Sequence, residues 1–152
     1  MDIKEYLVEV ALKQINKPYE HTKHGPNSFD CAGLVWYIYN KVLGIDIYKD
    51  GRGKSTTGKI MTSSYGTIKI YKENLKVLKS NEFKLGDILL FHRQALKETE
   101  PTPTNKYPGH CGIYIGNMEF IHCPKNKGIV LTNTLNNKYW NKKLVGKKNI
   151  IE

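Results

Sequence analysis

Cys31, His110 and His122 are the residues of this sequence whose types could do chemistry together. Cys31 lies in FDCAGLVWYIYN (Phe29 to Asn40), at the mouth of what reads as an apolar helix. There a thiol meets unpaired backbone N–H groups and the positive end of the helix dipole, and both favour thiolate, the nucleophilic form. The bland alternative is a buried cysteine packing as a small hydrophobe, the commoner fate of a free cysteine. A cysteine nucleophile requires a base to take its proton, and that base works best when a third polar group fixes its ring. His110 and His122 could fill those two roles, although a histidine alone is more often a surface or satisfied core residue, and only the combination points to function. Zinc held by Cys31, His110 and His122 is a weaker alternative.

The elements around the histidines set a geometric condition. CGIYIGNMEFIHC (Cys111 to Cys123) reads as a hairpin turning at Gly116 and Asn117. If the turn used only those two residues, Ile115 would pair with Met118 and the two histidines would point to opposite faces. If the loop takes in Met118 as well, or a bulge adds one residue, His110 and His122 fall diagonally on one face, about 7–8 Å apart at the backbone. Ile113, Ile115, Ile121 and Cys123 then share the other face as a buried layer. The longer turn or bulge is therefore expected.

The other elements follow from periodicity. Ile3, Tyr6, Leu7, Val10, Ala11 and Gln14 form the apolar side of a first helix that ends before Pro18. Tyr19 to Ser28 reads as a loop delivering the chain to Cys31, and Asp30 or Ser28 can cap the helix that follows. Leu34, Val35, Ile38 and Val42 make that helix's core stripe, with Gly44 as its stop. Its first turn, with Ala32 and Gly33 after the thiol, is expected to stay open to a ligand. Gly86 to His92 reads as a buried strand, GIVLT from Gly128 as another, and Leu144 and Val145 as part of a last one, after Tyr139 and Trp140. Arg93 to Gly109 is a long polar loop with three prolines that leads into His110; loops of that length in compact domains tend to be functional or mobile. GKSTTGK (Gly53 to Lys59) has the spacing of a phosphate-binding loop, but it lacks a preceding buried strand and a Ser or Thr after the lysine, so a solvated connection with a short helix is expected instead.

Composition bounds the partners. The 152 residues fit one catalytic domain, 1–152, able to bury a core without metal or disulfide staples. Three cysteines, an odd number without C-x-x-C spacing, imply neither a disulfide framework nor a zinc knuckle. The net charge of +10 points to an anionic partner or surface, and nucleic acid, an anionic cell envelope or a membrane surface would each satisfy it; the lysines are dispersed and carry no nucleic-acid motif, so nucleic acid is not expected and a generally basic surface is. No apolar run approaches membrane-spanning length. MDIKEYLVEVALKQI has early acidic residues and no apolar core or cleavage site, so it does not read as a signal peptide, and the route of delivery is open.

FDCAGLV, GDILLF, GHCGIYIGN, FIHC and the later GIV resemble, in order and spacing, the motif series of the NlpC family of bacterial cell-wall cysteine endopeptidases. The resemblance runs from about Tyr19 to the end. It implies an α+β, papain-like fold with N-terminal helices packed on a central antiparallel sheet. It also implies Cys31 as nucleophile, His110 as general base, His122 as the residue orienting it, and Tyr19 near the oxyanion site. The implied reaction is hydrolysis of an amide in the peptide stem of peptidoglycan, typically next to D-glutamate. Asp30, Ala32, Gly33 and Gly109 are the expected substrate contacts; no cofactor or metal and no partner subunit is called for. Asp30 has a second reading as a helix cap only.

The sequence departs from the family in Ala32, where serine is usual, in Cys111, where an apolar residue is usual, and in His21, Thr22 and Lys23, which replace the common Trp-Gly-Gly of the substrate groove. His21 and His24 are solvated or substrate-facing, His92 is structural or exposed, and Cys111 and Cys123 are core thiols. Two rival functions remain: a related thiol amidase or acyltransferase acting on lipid or protein, and a non-catalytic basic cell-wall binding module.

Overall fold

The computed structural model describes residues 1–47, 82–92 and 109–151. The GKSTTGK segment and nearly all of the Arg93 to Gly109 loop lie outside the described residues. Helix α1 (Ile3–Leu12) is capped by Asp2, whose carboxylate accepts from the Glu5 N–H at 2.9 Å. Helix α2 (Cys31–Leu43) is capped by Asp30 and stopped by Gly44, which adopts the left-handed conformation (φ 67°) that spares glycine the Cβ clash. Strands β1 (Ile88–Phe91), β2 (His110–Gly116), β3 (Glu119–His122), β4 (Leu131–Thr134) and β5 (Leu144–Lys148) form one antiparallel sheet in the order β4-β3-β2-β1-β5. A six-residue helix, α3 (Lys138–Lys143), leads into β5.

The sheet is covered on both faces. Ile88, Leu90, Cys111, Ile113, Ile121 and Cys123 point to the side where α1 and α2 pack, joining Leu7, Leu34, Val35 and Ile38 in the main core. Leu89, Phe91, Tyr114 and Phe120 point the other way and pack with Leu135 and Trp140. This is why β1 reads ILLF without alternation: each of its four side chains is buried on one face or the other.

Within α1 the expected stripe is only partly a core stripe. Leu7, Val10, Ala11 and Gln14 are buried, but Ile3 and Tyr6 are 41% and 40% exposed. Helical spacing identifies the side that faces inward, but not how far along the axis the neighbouring elements extend.

The β2–β3 hairpin meets the geometric condition by shifting the turn one residue and adding a bulge. Asn117 and Met118 are the turn residues, both with positive φ (53° and 60°), as a primed two-residue turn requires. The Met118 N–H donates to the Tyr114 hydroxyl at 3.0 Å, which helps hold a non-glycine residue there. Gly116 pairs with Glu119, the register slips at Ile115, and from Tyr114↔Phe120 and Ile113↔Ile121 onward the pairing puts His110 and His122 on one face.

Candidate active site

The start of α2 is fixed by contacts made before it. Asp30 is buried and extended, and its carboxylate accepts from the Gly33 N–H at 2.7 Å, so the helix begins at Cys31 with its N-terminal turn ordered. Tyr19 bridges to Phe29, the Glu20 N–H donates to the Phe29 carbonyl at 2.9 Å, and the Asp30 N–H donates to the Lys23 carbonyl at 2.8 Å. The 19–24 segment is thereby strapped across the helix entry. It lies so close that a Cβ on residue 33 would stand 2.2 Å from the Lys23 carbonyl oxygen, so only glycine fits.

That strap corrects the expectation of an open first turn. Cys31 is 2% exposed, and the Ala32 methyl is fully buried in the main core. Gly33 likewise has a packing role, and Asp30 acts as the cap. Gly109 extends the β1–β2 ladder, its N–H donating to the Phe91 carbonyl at 3.0 Å immediately before His110. Tyr19 is half-buried against the core, its backbone N–H held by the Gly128 carbonyl at 2.8 Å.

Two further thiols pack around this entry. Cys111 donates to the Cys31 carbonyl at 3.6 Å and Cys123 to the Phe29 carbonyl at 3.4 Å, tying β2 and β3 to the segment that carries the candidate nucleophile. Burial, and then the nearby negative charge of Cys31 and Asp30, push the Cys123 thiol up to about 12, so it keeps its proton at neutral pH. Both behave as the core thiols expected.

On the opposite sheet face the histidines meet directly. His110 Nε2 and His122 Nδ1 are 2.8 Å apart, with ring centroids 5.0 Å apart and planes nearly perpendicular. His122 Nε2 is 2.7 Å from Asn133 Oδ1, so both nitrogens of this fully buried ring are engaged. Burial, followed by the charge of His110, holds the His122 pKa well below its ordinary value, with the Asn133 hydrogen bond opposing. Trp140 closes the pair from above, its ring 4.8 Å from His122 and 5.9 Å from His110, and Phe91 and Phe120 flank it.

Three contributors to this arrangement are not evident from sequence motifs. Asn133 approaches His122 diagonally across the β3–β4 pairing, in which Phe120 faces Asn133 and His122 faces Leu131. Trp140 stands on a helix too short to show a period. Gly112 lies opposite His122, where a Cβ would come within 3.1 Å of the His122 Cβ and 2.7 Å of the Ile121 carbonyl oxygen. The glycine within GHCGIYIGN is the visible trace of that close approach.

The remaining histidines stand apart. His21 is exposed; His24 is half-buried with its ring against Trp36, its pKa lowered by burial and by Lys23; the His92 N–H donates to the Lys143 carbonyl. Among the described residues no group of three or more His, Cys, Asp or Glu side chains is arranged to hold a metal ion, and no helix is long and apolar enough to cross a membrane.

A family model described as NlpC/P60 family matches residues 16–149. The chain belongs to the NlpC/P60 family. Among curated relatives it is 29% identical over 142 residues to the Bacillus subtilis protein named "Probable peptidoglycan endopeptidase LytE", covering 93% of this chain and 33% of that one. It is also 29% identical over 147 residues to the gamma-DL-glutamyl hydrolase of the same organism, covering 96% and 30%. The chain spans between 33% and 51% of the length of the first curated relatives it matches. Among solved structures, an NLP/P60 family protein of Staphylococcus aureus superposes with a TM-score of 0.69 at 23% identity, covering all of this chain and 43% of that one. RipD of Mycobacterium tuberculosis, a non-catalytic NlpC/p60 domain protein adapted to peptidoglycan binding, superposes with a TM-score of 0.65 at 13% identity over 99% of both chains. At such identities the structural likeness carries the fold: helices packed on an antiparallel sheet, α+β, as NlpC/P60 domains are built.

Proposed function

We propose that this NlpC/P60 domain is a cysteine peptidase that hydrolyses an amide in the peptide stem of peptidoglycan, next to D-glutamate, through a thioester on Cys31. The observation that carries the reading is the buried contact of 2.8 Å between His110 and His122, held on the sheet that packs against the N-terminus of α2. Two imidazoles in that relation make a base and the group that orients it, and a cysteine at a helix N-terminus is the nucleophile such a pair serves.

In this reading Cys31 transfers its proton to His110 and its sulfur attacks the amide carbon. The oxyanion is met by the Cys31 backbone N–H, with Tyr19 beside it. His110 returns the proton to the leaving amine as the C–N bond breaks, leaving the acyl group as a thioester. It then takes a proton from water, whose oxygen attacks the thioester carbon, and Cys31 is released as thiol. The names of the relatives, a peptidoglycan endopeptidase and a gamma-DL-glutamyl hydrolase, support the substrate class. Action at the cell wall and the basic surface, with a net charge of +10, belong to the same reading.

The test is release of soluble fragments from purified peptidoglycan, with a lipid extract assayed beside it. Cys31→Ala should abolish release while circular dichroism and the melting temperature stay close to wild type. Release by Cys31→Ala, or turnover of lipid and not of peptidoglycan, would overturn the proposal.

RipD gives the binding-module alternative a specific footing, since the same fold exists there without catalysis. Here cysteine and both histidines are present, so a thiol probe at neutral pH should label Cys31, and His110→Ala should slow that labelling. Labelling indifferent to His110 would favour the binding module.

A further inference from the structure

We propose that Asn133 is a positioning residue that sets the proton positions of both histidines, leaving Nδ1 of His110 as the lone-pair nitrogen for the thiol. The inference rests on the reading of His110 as the base. A carboxamide oxygen only accepts hydrogen bonds, so the 2.7 Å contact with Asn133 Oδ1 requires the hydrogen on His122 Nε2. A neutral imidazole carries a single N–H. His122 Nδ1 is therefore an acceptor, and across the 2.8 Å contact His110 Nε2 must be the donor. The one proton of neutral His110 is then committed to Nε2, and Nδ1 is free to take a proton.

The environment leaves His122 few alternatives. Its ring is fully buried between the Trp140 indole, at 4.8 Å and 85°, and the Phe120 ring, at 4.7 Å. Burial disfavours the imidazolium, which would have two donors and could not accept from His110. Without the Asn133 oxygen the buried His122 Nε2–H would lose its acceptor, a costly state. Moving that proton to Nδ1 relieves it. His122 then donates to His110 Nε2, and the His110 proton shifts to Nδ1, the nitrogen that should act as base.

Nitrogen-15 NMR of the imidazole rings reads the tautomers without reference to any substrate. Wild-type protein should show both His110 and His122 protonated on Nε2. Asn133→Leu should move the His122 proton to Nδ1, slow alkylation of Cys31 by iodoacetamide, and lower kcat on peptidoglycan by about 100-fold with KM little changed. A wild-type His122 protonated on Nδ1 would overturn the inference without recourse to any variant, as would an Asn133→Leu protein that keeps both Nε2 tautomers. If the tautomers respond as stated and no stem peptide is released, the positioning role stands and the hydrolytic reading fails.

Discussion

His122 combines complete burial with two engaged nitrogens, and this ties the stability of the fold to pH. Its folded pKa lies well below the ordinary value of 6.5, so between the two values the unfolded chain binds a proton that the native state does not. Stability therefore rises with pH in that window, is fully present above about 6.5, and is lost as pH falls, by up to about 1.4 kcal/mol per pH unit. Urea unfolding at successive pH values should show this slope in wild type and a shallower one in His122→Asn. Equal slopes would mean that His122 charges freely in the folded state. The thiols separate in the same way: Cys123, pushed up to about 12, should stay unreactive at neutral pH. Mass analysis after brief alkylation should find the label on Cys31, with the same stoichiometry in Cys123→Ser. What sequence shows at this scale is residue type. Cysteine and histidine announce chemistry, whereas Asn133 is one of many asparagines until the β3–β4 register places it 2.7 Å from a ring nitrogen.

At the scale of elements, the hairpin was readable because only one register aligns both the histidines and the apolar layer; a one-residue slip would send every side chain to the wrong face. The α2 boundaries were readable because Asp30 and Gly44 are strong cap residues. The closeness of the strap to α2 was not, since the 2.2 Å clash at residue 33 depends on tertiary approach, and the expected open first turn was accordingly corrected. The outer edge of the sheet depends on an ion pair that no motif marks. Lys147 on β5 lies 3.0 Å from Asp87 just before β1, both almost fully buried. The Asp87 carboxylate also accepts from the Lys84 N–H at 2.8 Å and from Asn149 at 3.0 Å. Removing the cation alone leaves a buried carboxylate undercompensated, so Lys147→Met should destabilise by about 3 kcal/mol in urea unfolding. The double change with Asp87→Asn should recover part of that loss. A single-variant cost below about 1 kcal/mol would show the pair to be solvated.

At the scale of the whole molecule, the sheet works as a partition. The helical side buries the main core and presents the N-terminus of α2, while the other side seals two histidines beneath Trp140. Cys111 on β2 and Cys123 just after β3 tie the sheet to the helical side, each reaching the backbone that carries or precedes Cys31. Order and spacing of the motifs carried the fold class and the family through their resemblance to the NlpC series, whereas β1, buried on both faces, shows no alternation. The aromatic seal is not written in the sequence, since a six-residue helix shows no period and its docking is purely tertiary. Mass spectrometry of peptidoglycan fragments after incubation with the protein tests the proposed hydrolysis of a stem-peptide amide through Cys31 most directly. The predicted result is stem peptides cut at one bond next to D-glutamate by wild type, with none from Cys31→Ala. Intact stems after incubation with folded wild-type protein, or the same fragments from Cys31→Ala, would contradict it.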